Sequence, residues 1–321
     1  MPKHRLAVVG AGQFGKNHCR VVHESARAEL CAVVDTDAAR AAESAALYQA
    51  EALTDFLELA GKVDAAVIAV PTTSHEAVAI PLIAAGIDVL VEKPIAPDME
   101  SAGRMVEAAD RHGRILQVGH LERFNPAVVE LERRATIPLF FEIHRLNLFS
   151  PRSLDVDVVL DLMIHDIDIV LALAQAEPAE IRAAGIRILS HKVDIANVRL
   201  QFPNGCVANL TASRVSTERV RKLRLFQPRQ YLSLDYGRQD LVLFSVGENQ
   251  QIGFEKAPIS PSEPLKIQLQ AFLDAIESRK MPKCSAASAR LTLGTALAIL
   301  DKIEEHWATV SRSLEDRWKL Q

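Results

Sequence analysis

No stretch of this sequence is long enough to cross a bilayer. The longest apolar run, Ala77 to Ile87, falls far short of the roughly 20 residues a membrane helix needs. There is no long apolar stretch at the start either. MPKHR runs into LAVVGAG, and Gln13, Lys16 and Asn17 follow too soon for a secretory signal, so a cytoplasmic protein is expected. Cysteine is sparse: four residues, at 19, 31, 206 and 284, with no paired spacing of the zinc or redox type. No metal site and no thiol chemistry are expected from them, and a reducing compartment fits. Neither sign of charge dominates, since 37 basic residues stand against 41 acidic ones for a net charge of −4. That excludes an overall electrostatic footprint for nucleic acid or an anionic membrane surface.

What remains is ordinary globular composition, 24% charged and 49% hydrophobic, which argues against disorder and low complexity. At roughly 150 residues per domain, 321 residues suggest two domains. Up to about residue 120, apolar runs of strand length alternate with amphipathic helical stretches. The runs are LAVVG (6–10), ELCAVVD (29–35), AAVIAV (65–70), DVLVEK (88–93) and ILQVG (115–119). Their continuous Val, Ile and Leu content suits strands covered on both faces, as in a parallel sheet. The stretches between them read as crossover helices ending at Gly86 and Gly113, with Pro81 expected to kink or break one of them. The first domain, residues 1–121, is therefore expected to be a doubly wound α/β (Rossmann) domain.

After residue 121 the rhythm changes to one helix (about 124–135) and then period-two patterns at 140–147, 197–202, 207–213, 222–226, 231–236 and 240–246. Pro203, Asn204 and Gly205 mark a hairpin turn. Residues 122–321 are expected to form an α+β domain on a large, mostly antiparallel sheet. Two helical patterns follow it, at about 264–280 and 285–308. The terminal SRSLEDRWKLQ carries no readable period.

Three of only 14 glycines fall in Gly10-Ala-Gly12-Gln-Phe-Gly15, between the first strand and the first helix. There a tight turn, close approach of a pyrophosphate and close helix packing each require glycine, and the helix N-terminus faces the anion. The second strand ends in Asp35, 20 residues past Gly15, where a carboxylate can accept hydrogen bonds from an adenosine ribose. Asp35 also suits a helix N-cap. With Asp37 nearby, NAD is favoured over NADP, although Arg40 leaves NADP open. Glu92-Lys93-Pro94 ends the strand after Asp88, so Lys93 is expected in the crevice beyond the sheet as a proton relay, or else as a solvated partner of Glu92. Farther on, Asp161 and His165 stand one helical turn apart and Asp168 continues the stripe. A carboxylate and an imidazole so placed can bind a sugar diol and remove its proton. A capping and ion-pair cluster, or part of a metal site, explains the same spacing.

GAGQFG (10–15), VPTTSH (70–75), EKP (92–94), VGHLERFNP (118–126) and the Asp161…His165…Asp168 helix occur in one order along the whole chain. Together they resemble the Gfo/Idh/MocA family of pyridine-nucleotide-dependent sugar oxidoreductases. The resemblance implies a cofactor site of Gly10, Gly12, Gln13, Phe14, Gly15, Asp35, Pro71, Thr72, His75, Glu92, Lys93 and Pro94, with Lys93-Pro94 a candidate cis bond. It implies that Lys93, Asp161 and His165 are catalytic, and that Arg123 and Arg214 join them in contacting substrate. It also implies a dimer or tetramer built through the second domain's sheet, and a helix near 285–308 returning to the first domain.

Two departures from the family pattern are Thr72, where Asn is frequent, and Met163, where Gly is frequent and whose bulk is expected beside the substrate. The segment FSPRSLDVDVVLDLMIHDIDIV is similar to the branch that oxidises the 3-hydroxyl of UDP-N-acetylglucosamine. Arg214, Arg219, Arg221, Lys222 and Arg224 are expected near one sheet edge, facing a diphosphate or simply solvated. The expected reaction is hydride transfer between a sugar hydroxyl carbon and nicotinamide. A free-sugar or inositol dehydrogenase is the alternative, and a non-catalytic NAD(P)-sensing regulator a further one.

Overall fold

Runs of apolar residues with no polar interruption become the centre of the first sheet. The computed structural model of the chain describes residues 3–149 and 156–318, and its contacts divide it into two compact units. In the first unit, β1 (His4–Val9), α1 (Gln13–Glu24), β2 (Ala28–Val34), α2 (Ala38–Ala46), β3 (Glu51–Leu53), β4 (Ala65–Ile68), α3 (His75–Ala84), β5 (Asp88–Glu92), α4 (Met99–His112) and β6 (Leu116–Gly119) follow one another. All six strands pair in parallel in the order β3-β2-β1-β4-β5-β6. This is the doubly wound order, and it places a ligand crevice beyond the carboxyl ends of β1 and β4, where the chain direction switches. Leu6, Ala7, Val8 and every residue of β4 are fully buried, as continuous apolar strands demand.

The helices start and stop for local reasons. The Asp37 carboxylate accepts from the N–H groups of Ala39 and Arg40 to begin α2, and that of Asp98 accepts from Ser101 N–H at 2.8 Å to begin α4. Gly113, at φ +59°, ends α4 in the left-handed conformation. Pro81 does not break α3: the helix continues to Ala84, and the Pro81 carbonyl accepts from Ala85 N–H at 2.9 Å. The proline sits so late that its missing N–H costs the helix one hydrogen bond. Strand β3 has three residues, only Leu53 of them buried, which is why no strand pattern announced it.

The second unit begins with α5 (Pro126–Arg134), capped by the Asn125 side chain on Ala127 N–H, and β7 (Phe140–Leu148). A five-residue π-helix, Val159–Met163, leads into α6 (Ile164–Ala174). Then come β8 (Glu180–Ile186), β9 (Ile195–Gln201), β10 (Val207–Ser216), β11 (Val220–Gln227), β12 (Gln230–Asp235), β13 (Asp240–Val246) and β14 (Ile252–Lys256). The eight strands run β14-β13-β12-β11-β7-β10-β9-β8, antiparallel except for the parallel pair β7 and β10. Along each central strand, buried residues alternate with half-exposed ones, so one face is covered and the other open.

On the open face, Phe140, Phe226, Tyr231, Phe244 and Phe254 form a row crossing five strands, with neighbouring ring centroids 4.8 to 5.7 Å apart. Phe254 is 66% exposed.

Two helices close the chain, α7 (Pro264–Ser278) and α8 (Ala286–Trp318), which carries the helix beyond the period legible in the sequence. The sequence assigned everything after residue 122 to the second domain, and the structure corrects that. Ser262–Leu293 belongs to the first unit, while the second comprises Asn125–Pro261 and Gly294–Gln321. The reason is apolar. Leu265, Leu269, Phe272, Leu273 and Ile276 of α7 join Leu6, Val8, Val22, Val33, Val67 and Leu90 in one core cluster. Burying a side chain such as Phe272 contributes about 1.5–3 kcal/mol.

Candidate active site

The loop between β1 and α1 is shaped as a phosphate cradle. Gly10 has φ +99°, and a Cβ there would lie 2.5 Å from the Ala69 carbonyl oxygen; at Gly15 one would lie 1.7 Å from that of Gly10. Both positions are closed to any side chain. At Gly12 the opposite holds: a Cβ would meet nothing within 4 Å, so the open space there is room for a ligand. Gly12 is the N-cap of α1, no side chain caps that end, and Gln13 and Phe14 are exposed around it. Asp35 closes the cradle from β2. Its carboxylate accepts from Ala11 N–H at 2.8 Å, Asp37 N–H at 2.9 Å and the Arg40 guanidinium at 2.9 Å. Burial works against its charge, but these donors hold it below the usual carboxylate range. The N-cap of α2 is Asp37, which leaves Asp35 to the loop. The arrangement fits a dinucleotide, with the helix end for its pyrophosphate and Asp35 for its ribose.

Lys93 follows the end of β5 and is half-buried, and the Lys93–Pro94 bond is cis. The Glu92 carboxylate does not spend itself on solvent. It lies 2.7 Å from His18 Nε2 on α1, and accepts from Lys93 N–H at 3.3 Å. Burial would raise its pKa, yet the His18 hydrogen bond and charge, with that of Lys93, keep it below the ordinary value. Pro71 is exposed and Thr72 half-buried in a 3₁₀ turn beyond β4. His75 is 1% exposed, with one ring nitrogen 3.0 Å from the Pro94 carbonyl and the other 3.1 Å from that of Val70. It ties together the two loops that end β4 and β5, and so acts beneath the crevice. Arg123 is buried in the 3₁₀ turn Leu121–Phe124, where its carbonyl accepts from Lys283 Nζ at 2.8 Å.

In the second unit, Asp161 and His165 are both half-buried, but the regular stripe expected there is not what forms. Ile164 N–H reaches back five residues to the Val159 carbonyl, so the turn carrying Asp161 is widened. Asp168 is 1% exposed and does not share the half-exposed setting of the other two. Met163 is fully buried, and its bulk belongs to the core. Beneath this turn lies a polar network that the sequence did not announce. Arg145 of β7 donates twice to the Asp166 carboxylate, at 2.7 and 2.8 Å; Tyr236 O–H donates to it at 3.1 Å; and the Arg145 guanidinium sits 4.7 Å from the Tyr236 ring centroid. The one signal was Arg145 itself, a charge at an inward position of an alternating strand. His18 was likewise legible only as a histidine on the buried face of α1.

The basic run is corrected too. Strand β11 is interior, paired with β7 on one side and β12 on the other, and its charges point both ways. Lys222 and Arg224 face the open side, where Arg224 pairs with Glu142 at 2.8 Å, while Arg221 lies on the side of the buried Leu223 and Leu225. Arg214 is 5% exposed, donates to the Val156 carbonyl and lies 3.8 Å from Asp194. It braces the segment leading to Asp161 and is not open to a ligand. Residues 150–155 of the segment FSPRSLDVDVVLDLMIHDIDIV lie outside the described residues. Among the described residues, no three His, Cys, Asp or Glu side chains gather as a metal cluster, and no helix is long and apolar enough to cross a membrane.

A doubly wound unit with a glycine cradle at the start of its first helix and a carboxylate at the end of its second strand fits a dinucleotide-binding protein. Residues 4–120 match the family described as "Oxidoreductase family, NAD-binding Rossmann fold", and residues 141–229 match the GFO/IDH/MocA C-terminal domain. The chain belongs to the Gfo/Idh/MocA family.

It is 35% identical over 306 residues to the UDP-N-acetylglucosamine 3-dehydrogenase of Acidithiobacillus ferrooxidans, covering 94% of this chain and 97% of that one. A solved structure of that enzyme superposes with a TM-score of 0.90 over 95% of this chain and 99% of its own. The inositol 2-dehydrogenase of Corynebacterium glutamicum is 32% identical over 200 residues, 58% of this chain and 59% of that one. An Agrobacterium radiobacter oxidoreductase solved with NAD+, L-tartaric acid and magnesium shares the fold, with a TM-score of 0.85 at 18% identity over 94% of this chain and 96% of its own.

Proposed function

We propose that the protein oxidises a hydroxyl carbon of a nucleotide sugar, with UDP-N-acetylglucosamine and its 3-hydroxyl the foremost candidate. The observation that carries this reading is the near full-length similarity to an enzyme of that name, against 58% coverage for the inositol dehydrogenase. NAD, when bound, supplies the hydride acceptor. The protein supplies binding, orientation and management of one proton. Gly12 and the first N–H groups of α1 receive the pyrophosphate, and Asp35 the ribose. His165 accepts the proton of the hydroxyl, Asp161 orients the sugar and the imidazole, and Lys93 polarises the oxygen that becomes a carbonyl. The Arg145–Asp166–Tyr236 network holds His165 in place from beneath.

Self-association through the open face of the second sheet belongs to the same reading. The exposed aromatic row is a patch that lone soluble domains rarely display. A cytoplasmic setting is supported by four cysteines that are all free thiols.

The test is absorbance of reduced nicotinamide while NAD and UDP-N-acetylglucosamine, inositol or glucose are offered in turn. Turnover of the nucleotide sugar at a kcat/KM well above the others is expected. Lys93→Met and His165→Asn should each lower kcat by about 10²–10⁴-fold. If the two groups serve one proton, the double variant should be little worse than the poorer single one. Preference for inositol, or unaltered turnover in the variants, would discard the assignment.

A further inference from the structure

In the first unit, a contact between α1 and β5 has no part in the reaction as set out above. His18 is 3% exposed, and its Nε2 lies 2.7 Å from Glu92 Oε1 at the end of β5. The other carboxylate oxygen, Oε2, accepts from Lys93 N–H at 3.3 Å. Glu92 has little room to move. It stands beside Gly119 of β6 in the sheet register, and a Cβ on Gly119 would lie 3.0 Å from Glu92 Oε2 and 3.2 Å from Glu92 Cα. The space a side chain would fill at Gly119 is thus the space in which the carboxylate sits. Glu92 stays ionised although burial opposes its charge, and an ionised carboxylate only accepts. The His18 nitrogen facing it therefore carries a hydrogen and donates it.

The backbone around Lys93 is held from two sides. Its own N–H rests on Glu92, and the carbonyl of the next residue, Pro94, lies 3.0 Å from Nδ1 of the buried His75. The first of these holds leads back through His18 to α1, the helix whose N-terminus suits the pyrophosphate. His18 stands six residues past Gly12, a rise of about 9 Å along that helix. The seat of the pyrophosphate and the backbone of the lysine are therefore referenced to one rigid rod.

We propose that His18 is a positioning residue for the oxidation: through the Glu92 carboxylate it fixes the Lys93 backbone relative to the pyrophosphate seat, so that lysine and bound cofactor share one frame. The proposal rests on the role given above to Lys93 and holds whichever sugar is oxidised. A mere fastener between α1 and β5 would matter to melting alone. A positioning residue matters to kcat, because misplacing a reacting group by about 1 Å can cost about 10²-fold.

The test uses the full-length protein. His18→Leu removes the donor, while the amide of His18→Gln can present an N–H near the place of Nε2. His18→Asn, whose amide stops short, is the second loss variant should the leucine one not fold. Val22→Ala, in the core on the same helix, is the control for loosened packing. Each is assayed below its melting temperature with NAD and whichever of UDP-N-acetylglucosamine and inositol the wild type turns over. The loss variant should lower kcat by about 10–10²-fold, with NAD affinity from fluorescence titration within about 2-fold. His18→Gln should recover most of kcat, and Val22→Ala should lose melting temperature but not kcat. In a Lys93→Met background the loss variant should cost kcat little more, because the two residues act in series. Nitrogen NMR of the cofactor-free protein should find a hydrogen on His18 Nε2, and a bare Nε2 would overturn the contact. Lys93→Met with wild-type turnover would overturn the role of Lys93 and this one with it. A crippled Lys93→Met beside a loss variant whose kcat matches that of Val22→Ala, or a His18→Gln no better than the loss variant, would overturn the positioning role alone.

Discussion

Removing the Arg145 guanidinium should be among the most damaging single changes available in the second unit. Arg145 and Asp166 are each 2% exposed, and their two short hydrogen bonds are the compensation for taking both charges out of water. Arg145→Met leaves a buried carboxylate with only the Tyr236 hydroxyl, and breaking a buried pair from one side costs about 3–5 kcal/mol. A unit of this size loses about 2–4 °C in melting temperature per kcal/mol, so a drop of about 6–20 °C is expected in calorimetry. Replacing both charges, as Arg145→Met with Asp166→Leu, leaves no orphan and should restore most of the loss. The same pair anchors the turn that carries His165, so the double variant should keep a depressed kcat while its KM for NAD stays normal. A single variant melting within about 2 °C of wild type would refute the energetic argument. A double variant recovering kcat together with stability would refute the positioning one.

Three further outcomes follow from the geometry. Gly12→Ala should fold and melt as wild type but lose NAD affinity at least about 10-fold, because its Cβ meets only ligand space; Gly15→Ala should fail to fold normally. Fluorescence titration and melting separate the two, and equal behaviour would contradict the cradle. Burial pushes the His75 imidazole below its ordinary value of 6.5, so the unfolded chain takes up the proton first and stability is lost as pH falls below 6.5. From pH 7.5 to 5.5 this amounts to at most about 1.4 kcal/mol, and melting of His75→Gln should depend less steeply on pH over that window. Phe244→Asp, on the open aromatic row, should shift the protein toward monomer in light scattering; an unchanged mass would remove that face from the interface.

Where the sequence was informative, it was because local chemistry and global fold agreed. The glycines at 10, 12 and 15 are demanded by backbone approach over a few residues, and β1, β4 and β5 are apolar because both their faces are covered. What could not be read depends on pairing between distant stretches. The basic run at 214–224 looked like an edge because runs of charge are common on unpaired, solvated strands. Here β7 inserts between β10 and β11, and nothing near residue 220 records that. The edge strands β8 and β14 escaped notice because edges bury little: every residue of β14 is exposed. The π-turn at Val159–Met163 has no local signal either. The neighbouring segment is fixed from outside, by Val193 N–H on Asp157 at 2.9 Å and by Arg214 on the Val156 carbonyl.

The contribution of α7 to the first unit's core bears on how the chain is made. A ribosome releases residues 1–124 as a nearly complete nucleotide fold, but the wall supplied by Leu265, Phe272 and Leu273 is still unsynthesised. At bacterial or eukaryotic elongation rates the gap lasts on the order of ten seconds, during which an apolar flank stays uncovered. Vectorial synthesis thus finishes the second unit's sheet before the first unit can seal, and a nascent chain stalled before residue 262 is the species most in need of a chaperone.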